Sequence, residues 1–214
     1  MTPPQPPSPS ELGLDPNAET VDGLAREVLG DNYIYFEFDR VTIAEAIKEG
    51  LVTFKCELMR SGSGEINEIY GEGVGLIDAF FDGVIRGFAE EYPSLKTISV
   101  ANFEVVSGFE GAQGRKSDAS AEARLQVENS EGTVFNFRRA TPSVTRSSIR
   151  AVLDALTFFI NSERAYVQLH LALQDAKDRR RSDLVVKYRT QMSTLVRATS
   201  YSEVIDRLQR EEEE

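Results

Sequence analysis

The sequence predicts an α+β protein with two pseudo-symmetric βββα units and a helical C-terminal extension. The order strand, strand, strand, helix occurs at about 33–92 and again at about 94–165. Apolar residues alternate with a period of two in the strand segments and recur every three to four residues in the helical ones. Neither glycine nor proline occurs from 143 onward, which favours helix to the C-terminus. We therefore divide the chain into a leader (1–17), an α+β domain (18–165) and an extension (166–214).

The leader is predicted to be disordered, because the prolines of MTPPQPPSPS disfavour both helix and paired strand. A PxxP ligand for a proline-binding domain is the alternative interpretation. Helix signals follow at 18–30, where Gly30 is the predicted stop.

The first unit is predicted to begin at Tyr33 with a strand rich in aromatic and β-branched residues. The next segment, LVTFKCELM, alternates apolar and polar residues as a half-buried strand does. A third extended segment, EINEIYGEG, leads into a helix that ends before Pro93. The apolar positions of this helix recur at three-to-four spacing: Leu76, Ile77, Phe80, Phe81, Val84, Ile85 and Phe88.

The second unit repeats this order with the strands LKTISVANFEVV, ASAEARLQVE and TVFNFRRA. A polar, glycine-bearing loop at 108–118 separates the first two strands, and Pro142 precedes the helix. The residues expected to face inward from this helix are Val144, Ser148, Ala151, Val152, Ala155, Leu156, Phe159 and Ile160.

The extension is predicted to contain two amphipathic helical segments that separate near Arg181 and Ser182. Ser182 and Ser200 are the candidate N-caps. The apolar stripe of the extension has two possible destinations, the domain of its own chain or a second subunit.

Composition excludes several classes of function. A net charge of −11 disfavours nucleic-acid binding, since it repels phosphate backbones. No apolar stretch is long enough for a membrane span, and no secretory signal is present; with a lone Cys56 this favours a cytoplasmic protein without disulfides. The single histidine, His170, excludes a His-rich metal site, and its place in a helical run favours a surface or packing role over that of a general base. We therefore expect no metal, no cofactor and no membrane or nucleic-acid partner.

The stretch GEGVG at 71–75, between a strand and a helix, has two interpretations. Its backbone N–H groups and the helix N-terminus would suit an anion such as a carboxylate. Alternatively, the glycines only permit a tight connection between strand and helix. Nucleotide-binding motifs do not fit: GxxxxGK[ST] is absent, and Leu76 stands where GxGxxG requires its third glycine.

Three segments resemble one family. Residues 71–80, GEGVGLIDAF, resemble the Gly-x-Gly-Asn-Gly-Pro-Val-Asp-Ala-Leu segment of the 2-isopropylmalate synthase C-terminal regulatory domain, the LeuA allosteric (dimerisation) domain. Residues 118–127 resemble the Asp-Ala-x-Ala strand of the family, and 141–157 resemble its second helix entrance. The chain departs from the family at five positions, where Val74 replaces Asn, Leu76 replaces Pro, Thr141 and Ser143 replace Asp, and Val152 replaces Tyr.

The resemblance implies two βββα units, a homodimer and an amino-acid effector, leucine or isoleucine, bound between the units and near the two helix starts. It implies a regulatory domain of leucine biosynthesis rather than an enzyme, because the family's catalytic TIM barrel, with its HxH metal ligands, has no counterpart in this sequence. A synthase would then be a possible partner. The alternative is a dimerisation or scaffold module that has lost its ligand.

The same resemblance predicts the effector site. Glycine-loop N–H groups would bind the ligand carboxylate, the acidic residues would receive its ammonium group, and the alanines would leave room for its aliphatic part. The predicted site residues are Gly71, Gly73, Val74, Gly75, Asp78, Ala79, Asp118, Ala119, Ala121, Ser143 and Ser148.

Overall fold

The structure, a computed structural model, describes residues 13–108, 120–198 and 200–213. Two separate three-stranded antiparallel sheets are present, and each is followed by a helix. The predicted α+β fold with two βββα units and a helical extension is confirmed.

The first unit contains strands β1 (Phe36–Ala46), β2 (Leu51–Arg60) and β3 (Ile66–Gly73), in the order β1-β2-β3. Helix α2 (Leu76–Phe88) follows and packs across β2 and β3. It is preceded in the chain by helix α1 (Pro16–Leu29), which begins two residues before the predicted segment because Pro16 occupies its first turn.

The second unit contains β4 (Ile98–Gly108), β5 (Ser120–Asn129) and β6 (Val134–Thr141), in the order β4-β5-β6. Helix α3 (Val144–Asp178) packs across β5 and β6. In both units, therefore, the helix covers the second and third strands, and the first strand lies at the far edge.

Side-chain alternation decides which face of each sheet is buried. On β2 and β5 the predicted apolar faces are confirmed, since no described member is more than 7% exposed. These residues are Val52, Phe54, Cys56 and Leu58 on β2, and Ala121, Ala123, Leu125 and Val127 on β5. Tilted pairs of aromatic rings join strand to helix in each unit, with ring centroids 4.4 Å apart for Phe54 and Phe80 in the first and 5.3 Å apart for Phe135 and Phe158 in the second.

One predicted core position of α3 is wrong. Val144 is 52% exposed, whereas the other seven residues expected to face inward are buried. The sheet ends at the Ala121–Thr141 pair, which Ser147 contacts one turn later in the helix. The first residue of α3 therefore has no strand beneath it.

Helix α1 is attached to both α3 and the second sheet. Oδ1 of Asp15 accepts hydrogen bonds from the backbone N–H groups of Asn17 and Ala18 and so caps α1. Oδ2 of the same carboxylate accepts from the backbone N–H of Asn136 on β6, at 3.1 Å. One side chain thus fixes the start of α1 at the edge of the sheet.

The extension folds back onto its own chain. Helix α3 continues without a break through position 166, and α4 (Ser182–Leu195) and α5 (Ser202–Glu213) follow. Tyr201 stacks on Tyr166 with ring centroids 4.4 Å apart, and Asn129 donates its side-chain N–H to the Ala198 carbonyl at 3.0 Å. Of the two destinations left open for the apolar stripe, the structure shows the same-chain one.

The break near Arg181 and Ser182 is confirmed, but Ser182 does not cap α4. Arg181 occupies the cap position, and Ser182 is the first helical residue. None of the described helices combines the length and the apolar character that a membrane crossing requires.

Candidate functional site

The glycines of the first helix entrance bring α2 close to β3. Gly71 lies opposite Phe54 in the sheet register, on the buried face beneath α2. A Cβ atom at Gly71 would lie 2.8 Å from the Gly83 nitrogen and closer still to the Ala79 carbonyl oxygen. At Gly73 it would lie 2.6 Å from the Ala79 nitrogen. Both positions therefore require glycine for the close approach of helix and strand.

The next glycine of the segment has the opposite surroundings. Gly75 is the N-cap of α2, and nothing lies within 4 Å of a Cβ built there. It supplies no side-chain cap, and the preceding Val74 is 85% exposed. The N-terminus of α2 thus opens to solvent without a side chain that satisfies its free N–H groups.

Asp78 provides the charge at this entrance. Its Oδ2 accepts a hydrogen bond from the backbone N–H of Val74 at 3.0 Å, so the carboxylate folds back over the loop. One turn further along α2, Asp82 forms an ion pair with Arg86. The α2 entrance therefore combines helix-terminal N–H donors with an acidic side chain in the first turn.

The second helix entrance is closed by its own hydroxyl groups. Oγ of Ser143 accepts from the Arg146 N–H at 3.3 Å and caps α3. Thr141 Oγ1 lies 2.9 Å from Ser147 Oγ, which donates to the Ala121 carbonyl oxygen at 2.7 Å. Ser148 Oγ donates to the Val144 carbonyl oxygen within the helix. These bonds engage the hydroxyl groups of this entrance with groups of the same chain.

The structure therefore divides the predicted site residues into two groups. Gly71, Gly73, Val74, Gly75, Asp78 and Ala79 lie together at the α2 entrance. Ala121, Ser143 and Ser148 lie at the α3 entrance, while Asp118 and Ala119 fall outside the described residues. Their role in effector binding stays a prediction.

Aligning the two N-caps, Gly75 and Ser143, shows that the two units differ in charge. The first turns of α2 carry Asp78 and Asp82, and the equivalent positions of α3 carry Arg146 and Arg150. At the next turn the charges are again opposite, but with the signs exchanged: α2 carries Arg86 and α3 carries Asp154. The strand residue before each entrance also differs, since Gly71 corresponds to Arg139.

Sequence reasoning missed the group of charged residues at α3. Arg139 and Asp154 form a two-pronged ion pair, with Arg139 Nη2 and Asp154 Oδ1 at 3.0 Å. Burial outweighs the guanidinium and raises the pKa of the Asp154 carboxyl to about 6. The available signal was the four-residue spacing of Arg146, Arg150 and Asp154, which places all three on one face of a helix.

Among residues 13–108, 120–198 and 200–213, no three His, Cys, Asp or Glu side chains are grouped so that they could hold a metal ion. Cys56 is buried, and burial raises the pKa of its thiol to about 12, which disfavours a reactive thiolate. The described site geometry is thus that of backbone donors, hydroxyls and charged side chains.

Two βββα units, each ending in a helix, define a duplicated α+β domain. Residues 17–160 match the LeuA allosteric (dimerisation) domain family, and the chain belongs to this family. The match covers more than half of the 214 residues, ends within α3, and leaves no catalytic domain evident in this sequence. No curated protein matches the chain. The family is that of regulatory, dimerising domains of the 2-isopropylmalate synthase type.

Proposed function

We propose that this chain is a regulatory, non-catalytic domain that binds a small amino acid at the α2 entrance and forms a homodimer. The observation that carries the proposal is the open, uncapped N-terminus of α2 in a member of an allosteric-domain family. Such a domain would respond to a leucine-like end product of branched-chain amino acid biosynthesis in the cytoplasm. Its partner would be the catalytic barrel of a synthase.

An amino acid suits the α2 entrance because it carries both charges that the entrance complements. The free N–H groups at the helix N-terminus favour a carboxylate. The Asp78 carboxylate favours an ammonium group nearby. Val74, which replaces the family asparagine, adds an exposed apolar side chain beside both. This combination supports a zwitterion with an aliphatic side chain over a simple anion, which Asp78 would repel.

Calorimetry with leucine, isoleucine and valine tests effector binding. We expect saturable heat with at least one of them, and a strong loss of affinity in Asp78→Asn, which keeps the side-chain shape but removes the charge. Asp82→Asn is the matched control, since Asp82 lies one turn further along α2 in an ion pair with Arg86. Neither heat nor a thermal shift at millimolar amino acid would contradict effector binding and leave the scaffold alternative.

The second part of the proposal, the homodimer, is supported by apolar side chains that neither helix covers. Ile43 on β1 pairs with buried Phe54 and so shares its face, yet Ile43 is 38% exposed. Val105 on β4 pairs with buried Ala123 and is 37% exposed. The two units thus leave equivalent strands uncovered, as a surface for a second copy of the chain requires.

Sedimentation velocity tests the homodimer. We expect a dimer that becomes monomeric in the double variant Ile43→Asp/Val105→Asp. Ile66→Asp is the control, because Ile66 is 61% exposed and pairs with Met59 on the outer face of the first sheet. A monomeric wild-type chain, or a double variant that remains dimeric, would contradict this interface.

A further inference from the structure

A cavity of about 320 Å³ lies between the two units, beside the first four turns of α3. Its walls are the start of β1 from the first unit, the end of β6, and one face of α3. The residues that matter for its chemistry are Tyr35, Phe36, Glu37, Arg146, Arg150 and Leu153. The cavity is distinct from the α2 entrance, because none of the glycine-loop residues lines it.

The cavity is cationic in a strongly acidic chain. Three arginines (Arg139, Arg146 and Arg150) face two carboxylates (Glu37 and Asp154), which leaves one surplus positive charge against a net charge of −11 for the whole chain. Arg139 and Asp154 neutralise each other through their ion pair. The surplus positive charge of the cavity therefore lies on α3, at Arg146 and Arg150.

These two guanidinium groups remain available to a ligand. The Arg146 side chain forms no hydrogen bond or ion pair with any residue of the described ranges, and it is exposed. Arg150 donates one N–H to the Phe36 carbonyl oxygen at 3.3 Å, and its guanidinium carbon lies 4.8 Å from the centre of the Phe38 ring. Both contacts hold Arg150 in place without neutralising it by a carboxylate. Burial lowers the pKa of the Arg150 guanidinium, while the Asp154 and Glu37 carboxylates favour its charged form.

The arrangement belongs to the second unit alone. At the aligned positions of α2, Asp78 is folded over its own loop and Asp82 is paired with Arg86. The duplicated scaffold thus carries opposite charge at equivalent helical turns, and the side chains of the α3 copy alone suit a simple anion.

We propose that this cavity binds a small organic monocarboxylate, whose carboxylate is held by Arg146 and Arg150 and whose apolar part lies against Tyr35, Phe36 and Leu153. Guanidinium groups bind carboxylates through charge-assisted hydrogen bonds. One surplus charge matches a singly charged anion, whereas a phosphate group carries about −1.5 to −2 at neutral pH and has no apolar part. This site does not depend on effector binding at the α2 entrance.

The test uses 3-methylbutanoate as probe and 3-methylbutanamide as its uncharged isostere, at constant ionic strength, with calorimetry and amide NMR shifts as the measurements. We expect saturable binding of the acid and none of the amide. Arg146→Gln should weaken acid binding roughly tenfold or more, because a charge-assisted hydrogen bond is lost. Arg150→Lys keeps the positive charge but loses the planar guanidinium group that can donate two parallel hydrogen bonds, so it should weaken acid binding as well.

Arg138→Gln is the matched control. It removes the same charge from the outer face of β6, next to Arg139, and should leave the affinity unchanged. Since Arg146 is exposed, its variant should fold as the wild type does, and circular dichroism checks this.

Equal affinity in the wild type and Arg146→Gln would overturn the proposal. So would equal binding of acid and amide, preferential binding of inorganic phosphate, or no binding of the acid at millimolar concentration. Loss of leucine binding in Asp78→Asn with retained 3-methylbutanoate binding would show that the two sites are separate. A wild-type chain that binds leucine but not 3-methylbutanoate would remove this site only.

Discussion

The two helix entrances build the same topology from different residues. At α2, glycines allow the helix to lie directly on β3, and the N-terminus is left without a side-chain cap. At α3, Ser143 and Thr141 satisfy the entrance through hydroxyl groups, and arginines take the positions of acidic residues. The two copies of the unit therefore share a backbone topology but differ in their helix entrances. In the first copy the helix packs closely on the strand and its N-terminus has no side-chain cap, whereas in the second copy the N-terminus is capped and carries arginines.

This difference separates two physical tasks. Close backbone approach at α2 depends on the absence of side chains, so substitutions there act through steric overlap. The α3 entrance depends on hydrogen bonds and a buried ion pair, so substitutions there act through polar groups that lose their partners. Three predictions test this division, beginning with the largest expected effect.

Gly71→Ala should destabilise the protein by about 3 kcal/mol or more, because its Cβ would overlap the backbone of α2. Urea unfolding followed by circular dichroism measures this change. Gly75→Ala is the control, since its Cβ would meet open space; we expect a loss of at most about 1 kcal/mol from the weaker N-cap. Equal losses of stability in Gly71→Ala and Gly75→Ala would contradict the claim that close packing on β3 requires glycine at position 71.

Asp154 should make stability depend on pH in the second unit. Its pKa is raised from 3.8 to about 6 in the folded protein, so between these values the native state keeps a proton that the unfolded state has lost. Its contribution to stability is therefore present below about pH 4, falls as pH rises to about 6, and is constant above that, with a total change of at most about 3 kcal/mol.

Urea unfolding of the wild type and of Asp154→Asn across this range isolates the contribution of Asp154. The substitution removes the titrating carboxyl together with its ion pair to Arg139, and Arg139 itself stays protonated throughout this range, so the difference in slope reports Asp154. Curves that stay parallel from pH 4 to 7 would refute the shift. In the first unit the aligned residue is Arg86, an exposed cation, so no equivalent dependence is expected there.

Ser143→Ala should cost about 1 kcal/mol, the usual effect of removing a hydroxyl N-cap. Ser182→Ala should change stability by only a few tenths of a kcal/mol, because Ser182 is already helical and does not cap α4. Thermal unfolding of both variants provides the measurement. A smaller effect at Ser143 than at Ser182 would mean that hydroxyl capping does not stabilise the α3 entrance.

Local patterns predicted most of the fold. Alternation identified the buried face of β2, and helical periodicity located α2 and the start of α3, because these signals depend on neighbouring residues alone. The position of the extension could not be predicted, since an apolar stripe shows which face is buried but not what covers it. Tyr201 meets Tyr166, and Asn129 meets Ala198, only through the tertiary fold.

For the candidate site, too, local patterns predicted the secondary structure but not the tertiary contacts. The motif at 71–75 indicated a helix entrance, but the reason for Gly71 and Gly73 lies in the distance to α2, which no local pattern reveals. The arginine-lined cavity was missed because it joins Phe36 to Arg150, residues far apart in the chain. The family resemblance directed attention to both helix entrances, including Ser143 and Ser148 at the second, but not to the charges of Arg146 and Arg150.

The continuity of α3 has a mechanical consequence. Its 35 residues span about 52 Å, with the arginine-lined cavity near one end and α4 folded against the other. Because no loop interrupts α3, one helix forms both a wall of the cavity and the surface on which α4 packs, so a tilt of α3 would move both together.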